Sequence, residues 1–144
     1  MLIDTHCHMN IMIRNFVAKN FFSPLNGEEI LTCEKILKVA HEKNVTSIIN
    51  VGTDLIESQT CIEIAKLFAN CYATIGLHPT DATESWQETI AEFENLLTRK
   101  EELKIIGIGE CGVDKFHQGY NAQLQKKVFE TQIELALKHN LALV

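Results

Sequence analysis

The 144-residue sequence lacks any apolar run long enough to cross a membrane. A membrane-spanning helix needs about 20 consecutive apolar residues, and charged side chains interrupt this sequence well before that length. The amino terminus also lacks a basic segment followed by a long apolar one, which argues against a secretory signal peptide. We therefore expect a protein that has neither a membrane segment nor a membrane partner.

Positive charge is not in excess either, because 19 acidic residues outnumber 13 basic ones and give a formal net charge of −6. Proteins that bind nucleic acid through their overall charge are basic, so this class of scaffold is excluded. A metal-dependent nuclease is not excluded, because bound metal ions can attract phosphate groups locally.

Two classes of sequence motif are missing. The five cysteines are odd in number and include no pair with CxxC spacing, so reduced thiols in a cytoplasmic protein are the simplest interpretation. The glycines fit neither the G-x-G-x-x-G pattern nor the Walker pattern in a strand–helix context. Neither of these phosphate-binding loops is therefore predicted.

Short apolar runs alternate with longer helical patterns along the chain, in which 46% of the residues are hydrophobic. Five runs have the aliphatic composition and the polar or glycine boundaries of buried parallel strands, namely residues 2–3, 47–51, 72–75, 105–108 and 141–144. Between them, apolar residues recur at helical spacing in four segments, residues 30–40, 61–69, 86–97 and 124–136. The apolar faces of these helices predict packing against a sheet.

Strict alternation of strands and helices predicts an α/β fold with a parallel sheet. Two architectures fit the pattern: a small open doubly wound sheet, or the first half of a TIM (β/α)8 barrel, which needs about 250 residues when complete. The last apolar run begins at Leu141, and the sequence ends within it at Val144. We interpret this ending as a sign that residues 1–144 form an incomplete domain.

The stretch from Asn10 to Asn26 is the irregular part of the sequence. It contains Arg14, Lys19 and three phenylalanines, at positions 16, 21 and 22. We predict a long loop after the first strand, with its aromatic side chains packed over the barrel rim. A role in covering the substrate is an alternative.

The clearest chemical motif is Asp4-Thr5-His6-Cys7-His8, at the end of the first strand. Side chains alternate along a strand, so His6 and His8 leave it on the same face. At the carboxyl end of a barrel strand they would point into the mouth, where the active sites of this fold lie. Two converging imidazoles are half of a tetrahedral metal site. We predict that His6 and His8 are metal ligands and that Cys7, facing the other way, is a packing residue.

A second motif runs from Gly107 to Asp114 and ends the fourth strand. Its three glycines allow the backbone to approach a site closely. Glu110 supplies a carboxylate, which among histidines can bridge two divalent ions, and we predict that it is a metal ligand. Asp114 can orient a ligating histidine or a substrate group, and a purely structural role for it also remains open.

A third polar feature, His78, follows the third strand in the segment Gly76-Leu77-His78-Pro79. Pro79 restricts the turn, so that His78 can reach a phosphate group or a bound water molecule. A structural histidine in a turn is the alternative. Asp54, after the second strand, is interpreted as a helix cap rather than as a catalyst. Polar features thus follow three strands at one predicted rim.

Taken in order, these motifs resemble those of the TatD family of metal-dependent deoxyribonucleases. The matching segments cover nearly the whole chain apart from Asn10–Asn26: residues 3–8, 50–54, 75–79 and 108–114, with residues 125–144 similar to the helix that leads into the family's fifth strand. The resemblance implies a TIM barrel with two divalent metal ions at its carboxyl-terminal face, Mg²⁺ or Mn²⁺, with Zn²⁺ as an alternative. It also implies a monomeric enzyme that hydrolyses phosphodiester bonds at the ends of DNA and, in some members, of RNA.

By the same resemblance, His6 and His8 hold one metal ion, Glu110 bridges both ions, and His78 and Asp114 support the geometry of the substrate or the ligands. The family's further ligands, a histidine after strand five, another after strand six and an aspartate after strand eight, have no counterpart in this sequence. We therefore predict the amino-terminal half of a TatD-like barrel, spanning residues 1–144 and weak or inactive by itself.

Two other interpretations remain open. Amidohydrolases that act on cyclic amides or nucleobases also begin with HxH, although the amide-hydrolysing members commonly use a modified lysine where this chain has Glu110. Alternatively, a half-barrel is inactive and acts only by association, because its unpaired edge strands favour self-association or pairing with a missing carboxyl-terminal half.

Overall fold

Five short strands alternate with helices in a computed structural model that describes residues 1–14, 20–117, 119 and 121–144. The elements are β1 Leu2–Cys7, α1 Met9–Met12, α2 Gly27–Glu42, β2 Val45–Val51, α3 Leu55–Leu67, β3 Cys71–Ile75, a 3₁₀ turn at Pro79–Asp81, α4 Trp86–Leu97, β4 Ile105–Ile108, α5 Ala122–His139 and β5 Ala142–Leu143. The predicted alternation is confirmed. None of the helices formed by the described residues is long and apolar enough to span a membrane.

All strand pairings are parallel, and the order in the sheet is β1-β2-β3-β4-β5. A doubly wound sheet reverses its strand order at a switch point, whereas a (β/α)8 barrel adds each strand beside the previous one. The sequential order therefore decides between the two predicted architectures in favour of the barrel. All five strands end at the same edge of the sheet, which brings the loops that follow them together.

The helices α2, α3 and α5 begin at side chains that accept hydrogen bonds from their first turn. The Asn26 side chain accepts from the backbone of Glu28 and Glu29 at the start of α2, and Glu29 reaches back to the Asn26 N–H in a capping box. At α3, Asp54 Oδ1 accepts a hydrogen bond of 2.7 Å from the Glu57 N–H. The prediction that Asp54 is a helix cap is confirmed.

The core lies where the helices pack on the sheet, in two clusters of buried side chains. One lies around Phe93 in α4 and Ile108 in β4, and the other around Met9 in α1 and Cys33 in α2. All five cysteines are free thiols. Burial raises the pKa of Cys33 to about 12 and that of Cys71 to about 11, so these thiols stay uncharged and act as small apolar side chains.

The prediction of a long loop from Asn10 to Asn26 is wrong at its start, because Met9–Met12 forms the short helix α1. Apolar periodicity did not predict this helix because one of its buried residues, Asn10, is polar. The two described aromatic side chains of this stretch are not packed on the rim as predicted: Phe21 is 70% exposed, and Phe22 borders a groove between α3 and α4. Phe16 and Lys19 lie outside the described residues.

Candidate metal centre

Three side chains predicted to bind metal converge at the carboxyl edge of the sheet. Oε2 of Glu110 lies 3.3 Å from Nε2 of His6 and 3.5 Å from Nε2 of His8. One donor atom from each of the three side chains lies within 4.8 Å of the other two. Among the described residues, this is the group of histidine, cysteine and acidic side chains able to hold a metal ion.

Curvature of the sheet makes this convergence geometrically feasible. His6 is in β1 and Glu110 follows β4, and the strands β2 and β3 lie between them. In a flat sheet, three strand spacings of about 4.8 Å would separate the two strands by roughly 14 Å. The 3.3 Å contact therefore requires the concave face of a sheet that curls as barrel sheets do.

The ring of His8 is oriented by the neighbouring strand. Its Nδ1 lies 3.0 Å from the carbonyl oxygen of Val51 at the end of β2. A carbonyl oxygen can only accept a hydrogen bond, so Nδ1 carries the proton and the lone pair of the neutral ring lies on Nε2, the atom that faces Glu110. Histidines that bind metal ions characteristically donate their second N–H to such a carbonyl group.

The backbone on either side of Glu110 is held by the two preceding strands. The Glu110 N–H donates to the carbonyl oxygen of Gly52 at 2.7 Å, and the Thr74 hydroxyl donates to the carbonyl oxygen of Gly109 at 2.7 Å. The Gly109–Glu110 peptide bond is cis. Gly76 lies directly against this peptide, and a Cβ atom at Gly76 would be 2.7 Å from the Glu110 nitrogen. A larger residue at position 76 would therefore displace the carboxylate.

His78 also faces Glu110, with 3.7 Å between His78 Nε2 and Glu110 Oε1. Its Nδ1 lies 2.6 Å from the Thr80 hydroxyl and 3.3 Å from the Thr80 N–H. A backbone N–H can only donate, so Nδ1 is the acceptor and Nε2 carries the proton in the neutral ring. His78 thus presents a hydrogen-bond donor where His8 presents a lone pair.

Asp114 is placed in the same groove as His78 and Glu110, but its carboxylate is engaged in its own loop. It accepts hydrogen bonds from the His117 N–H at 3.0 Å, the His117 ring at 2.8 Å and the Phe116 N–H at 2.7 Å. The hydrogen bonds from His117 lower the pKa of Asp114 to about 2. The carboxylate is therefore ionised, and the turn is held, at any pH well above that value.

Two buried glutamines tie the loops of this edge together, and sequence analysis did not recognise either. Gln125 accepts from the Asp114 N–H at 3.0 Å and donates to the Pro79 carbonyl oxygen at 3.0 Å. Gln132 hydrogen-bonds both backbone groups of Leu77, the residue before His78. Gln132 lies in the predicted helical segment 124–136, whose other face-forming residues are apolar. A polar amide within this apolar stripe is the signal that could have identified it.

Buried polar contacts also fix α1, the helix that begins directly after His8. The Met9 N–H donates to Asn50 Oδ1 at 3.2 Å, and Asn10 Nδ2 donates to Glu57 Oε2 at 2.7 Å. A buried guanidinium at the end of this segment, that of Arg14, contacts the α3 side chain of Thr60. The position of His8 is thereby defined by contacts with β2 and α3.

The donor set fits a divalent metal ion. Nitrogen and oxygen ligands lie about 2.0–2.2 Å from Zn²⁺ or Mg²⁺, so two ligands of one ion are about 3.0–3.5 Å apart. The spacings of 3.3 and 3.5 Å from Glu110 Oε2 to the two histidines match this value. The orientation of His8 by a backbone carbonyl is a second feature expected of a ligand.

Comparison with known proteins identifies the family. The family model described as TatD related DNase matches residues 3–144. The uncharacterized metal-dependent hydrolase YabD of Bacillus subtilis is 31% identical over 144 residues, which are 100% of this chain and 49% of that protein. The 3'-5' ssDNA/RNA exonuclease TatD of Erwinia amylovora is 34% identical over 111 residues, 76% of this chain and 41% of that protein.

Solved structures agree with this assignment. The TatD homolog YJJV of Escherichia coli K12 superposes with a TM-score of 0.78 at 26% identity, covering 98% of this chain and 48% of that one. A TatD family hydrolase of Entamoeba histolytica gives a TM-score of 0.71 at 25% identity, covering 97% and 47%. The chain thus spans half or less of the relatives that it matches, as a half-barrel. It belongs to the TatD related DNase family of metal-dependent hydrolases.

Proposed function

We propose that the protein acts as a divalent-metal-dependent phosphodiesterase on the ends of single-stranded DNA, with RNA as a second substrate. The observation that carries this proposal is the convergence of His6, His8 and Glu110 on one point at the sheet edge. The polarity of attack is inferred from relatives, since several are named 3'-5' ssDNA/RNA exonuclease. The complete enzyme is expected to be a monomer in the cytoplasm.

In this proposal, His6 and His8 would hold a metal ion through Nε2, together with Oε2 of Glu110. The second carboxylate oxygen of Glu110 lies 3.7 Å from His78 Nε2, too far for a hydrogen bond, and would be available for a second ion. Mg²⁺ and Mn²⁺ are our expected ions, although the nitrogen-rich donor set also suits Zn²⁺. When bound, divalent ions would supply the Lewis acidity and the positive charge that phosphodiester cleavage by this acidic chain requires.

The other two predicted site residues take different roles in this proposal. The protonated Nε2 of His78 would donate a hydrogen bond to a phosphate oxygen beside the metal centre. Asp114 would position the loop that follows Glu110, because its oxygens accept hydrogen bonds from that loop's own N–H groups. Further ligands on later barrel strands, in the part of the relatives that this chain does not span, would complete the second ion's site.

The test is a comparison of Mn²⁺ binding and nucleotide release in the protein as its gene encodes it. Mn²⁺ affinity is measured by isothermal titration calorimetry, and release of nucleotides is followed with a 5′-labelled single-stranded oligonucleotide. We expect His6→Ala and Glu110→Gln each to weaken Mn²⁺ binding by at least about 10-fold and to abolish release. His41→Ala, on an exposed position of α2, is the matched control. Unchanged Mn²⁺ affinity or nucleotide release in either variant would contradict the proposal.

A further inference from the structure

The loop after Glu110 carries an aromatic side chain that the fold leaves almost entirely in solvent. Phe116 is 89% exposed, although it lies in a segment whose backbone is tied down. Single exposed apolar residues are common on protein surfaces and need no explanation by themselves. Three features set Phe116 apart: the fixed turn that presents it, the groove that it borders, and the charge beside it.

The turn that presents Phe116 is held from two sides. The Phe116 N–H donates to Asp114 Oδ1 at 2.7 Å, and the His117 ring donates to Asp114 Oδ2 at 2.8 Å. On the inner side, the Asp114 N–H is bonded to Gln125 of α5. The backbone that carries the exposed ring is therefore fixed, so that stacking of a ligand on the ring would cost little conformational entropy.

The groove beside Phe116 leads directly to the candidate metal centre. It has a volume of about 390 Å³, and its lining includes His78, Glu110, Lys115 and Phe116. This volume lies within the range of about 300–1,000 Å³ found for small-molecule sites. A group held against Phe116 and another held at Glu110 would thus occupy the same groove.

Lys115 supplies a positive charge in this groove, whose carboxylates are the proposed metal ligand Glu110 and the Asp114 of the turn. Lys115 lies in its wall and forms no ion pair with any residue that the structure describes, whereas the neighbouring Asp114 carboxylate is already paired with His117. Proteins that bind single strands combine such cations with aromatic rings on which unpaired bases stack. The T-shaped contact between Phe116 and His117, with ring centroids 5.2 Å apart, steadies the aromatic surface.

We propose that Phe116 is a stacking platform for the unpaired terminal nucleobase of the nucleic acid and that Lys115 contacts the adjacent backbone phosphate. This inference rests on the proposed nuclease function and specifies how it selects its substrate. An unpaired terminal base can turn onto the ring, whereas the terminal base of a blunt duplex is held in place by its pairing partner and by stacking on the next base pair. The platform therefore favours single-stranded ends over blunt duplex ends.

The test compares Phe116→Ala with Phe116→Trp, which keeps an aromatic face, and with Phe21→Ala as the matched control. Phe21 is also exposed but does not line the groove. Two substrates are used: a single-stranded oligonucleotide, and the same oligonucleotide with an abasic residue at its attacked end, which has no terminal base to stack. We expect Phe116→Ala to raise the KM of the first substrate about 5- to 100-fold and to change the KM of the abasic-ended one far less. Phe116→Trp should retain the low KM.

Stacking can also be measured independently of catalysis. The oligonucleotide then carries a terminal 2-aminopurine, whose fluorescence is quenched when it stacks, and phosphorothioate linkages that slow cleavage. Loss of quenching in Phe116→Ala, but not in Phe21→Ala, would support the proposal. Equal effects of Phe116→Ala on both substrates, or an unchanged oligonucleotide KM with full quenching, would overturn it. Failure of the wild-type protein to hydrolyse either substrate would contradict the nuclease function instead, and the quenching measurement would still decide whether the base stacks.

Discussion

At the scale of single residues, His8 and His78 face the same carboxylate with opposite ring nitrogens protonated. The carbonyl oxygen of Val51 requires a proton on Nδ1 of His8, and the Thr80 N–H requires a lone pair on Nδ1 of His78. One ring is therefore prepared to coordinate a metal ion, and the other is prepared to donate a hydrogen bond. The division of roles between these histidines follows from backbone groups rather than from the histidines themselves.

This division can be measured by ¹⁵N NMR of histidine-labelled, metal-free protein at about pH 8, where histidine rings are normally neutral. We expect His8 in the Nδ1–H tautomer and His78 in the Nε2–H tautomer. His41, whose ring has no hydrogen bond to the described residues, serves as the control and should show a mixture of both. Observation of His8 protonated on Nε2 would contradict the proposed ligand geometry.

At the scale of elements, the site depends on how closely β3 and β4 approach each other at their ends. Gly76 lies against the Gly109–Glu110 peptide, and no Cβ atom can be placed between them without an overlap with backbone atoms. The Glu110 N–H also donates a hydrogen bond to the carbonyl oxygen of Gly52, directly after β2. The carboxylate is thus positioned by the ends of three strands together. A change at one of these ends should displace it from the candidate metal centre.

We therefore expect Gly76→Ala to lower the free energy of unfolding by about 1–3 kcal/mol, because the added methyl group forces the backbone apart. The same displacement should weaken Mn²⁺ binding at least several-fold. Gly27→Ala is the matched control, because nothing lies within 4 Å of a Cβ atom there and the residue begins α2. Denaturant unfolding and calorimetry with Mn²⁺ measure the two effects, and equal behaviour of the two variants would refute this account.

Much of this arrangement could be predicted from the sequence, because side chains alternate regularly along a strand. Alternation along β1 placed His6 and His8 on one face, and the glycines around Glu110 indicated a close backbone approach. The roles of Gln125 and Gln132 were not accessible, because their partners are backbone groups of distant loops, which no side-chain pattern records. The helix after His8 was missed for a similar reason, because its polar residue Asn10 is satisfied by Glu57 in α3.

At the scale of the whole molecule, β1 and β5 are the two edges of the sheet and carry exposed apolar side chains. Leu2 is 59% exposed, Ile3 57% and Leu143 43%. In a closed barrel no strand has a free edge, whereas an open parallel sheet offers unpaired backbone groups to other chains. These two strands are the ones through which the predicted half-barrel would pair with another copy of itself or with a carboxyl-terminal half.

We expect the 144-residue chain to associate reversibly with itself, because edge pairing buries both the apolar side chains and the free backbone groups. Sedimentation velocity over a range of concentrations should show a rising average mass. A variant with Ile3→Thr and Leu143→Thr should shift the curve toward the monomer, whereas Leu137→Thr, at an exposed position of α5 away from the edges, should not. A single monomeric species at all concentrations would argue against association through these strands.

The strand order has a consequence for how the protein is made on the ribosome. Every strand pairs with the one synthesised just before it, so each βα unit can dock on its predecessor as soon as it leaves the exit tunnel. His6 in β1 and His8 just after it emerge first, but Glu110 follows the fourth strand. A nascent chain therefore cannot bring the three proposed metal ligands together until four strands have been added in order.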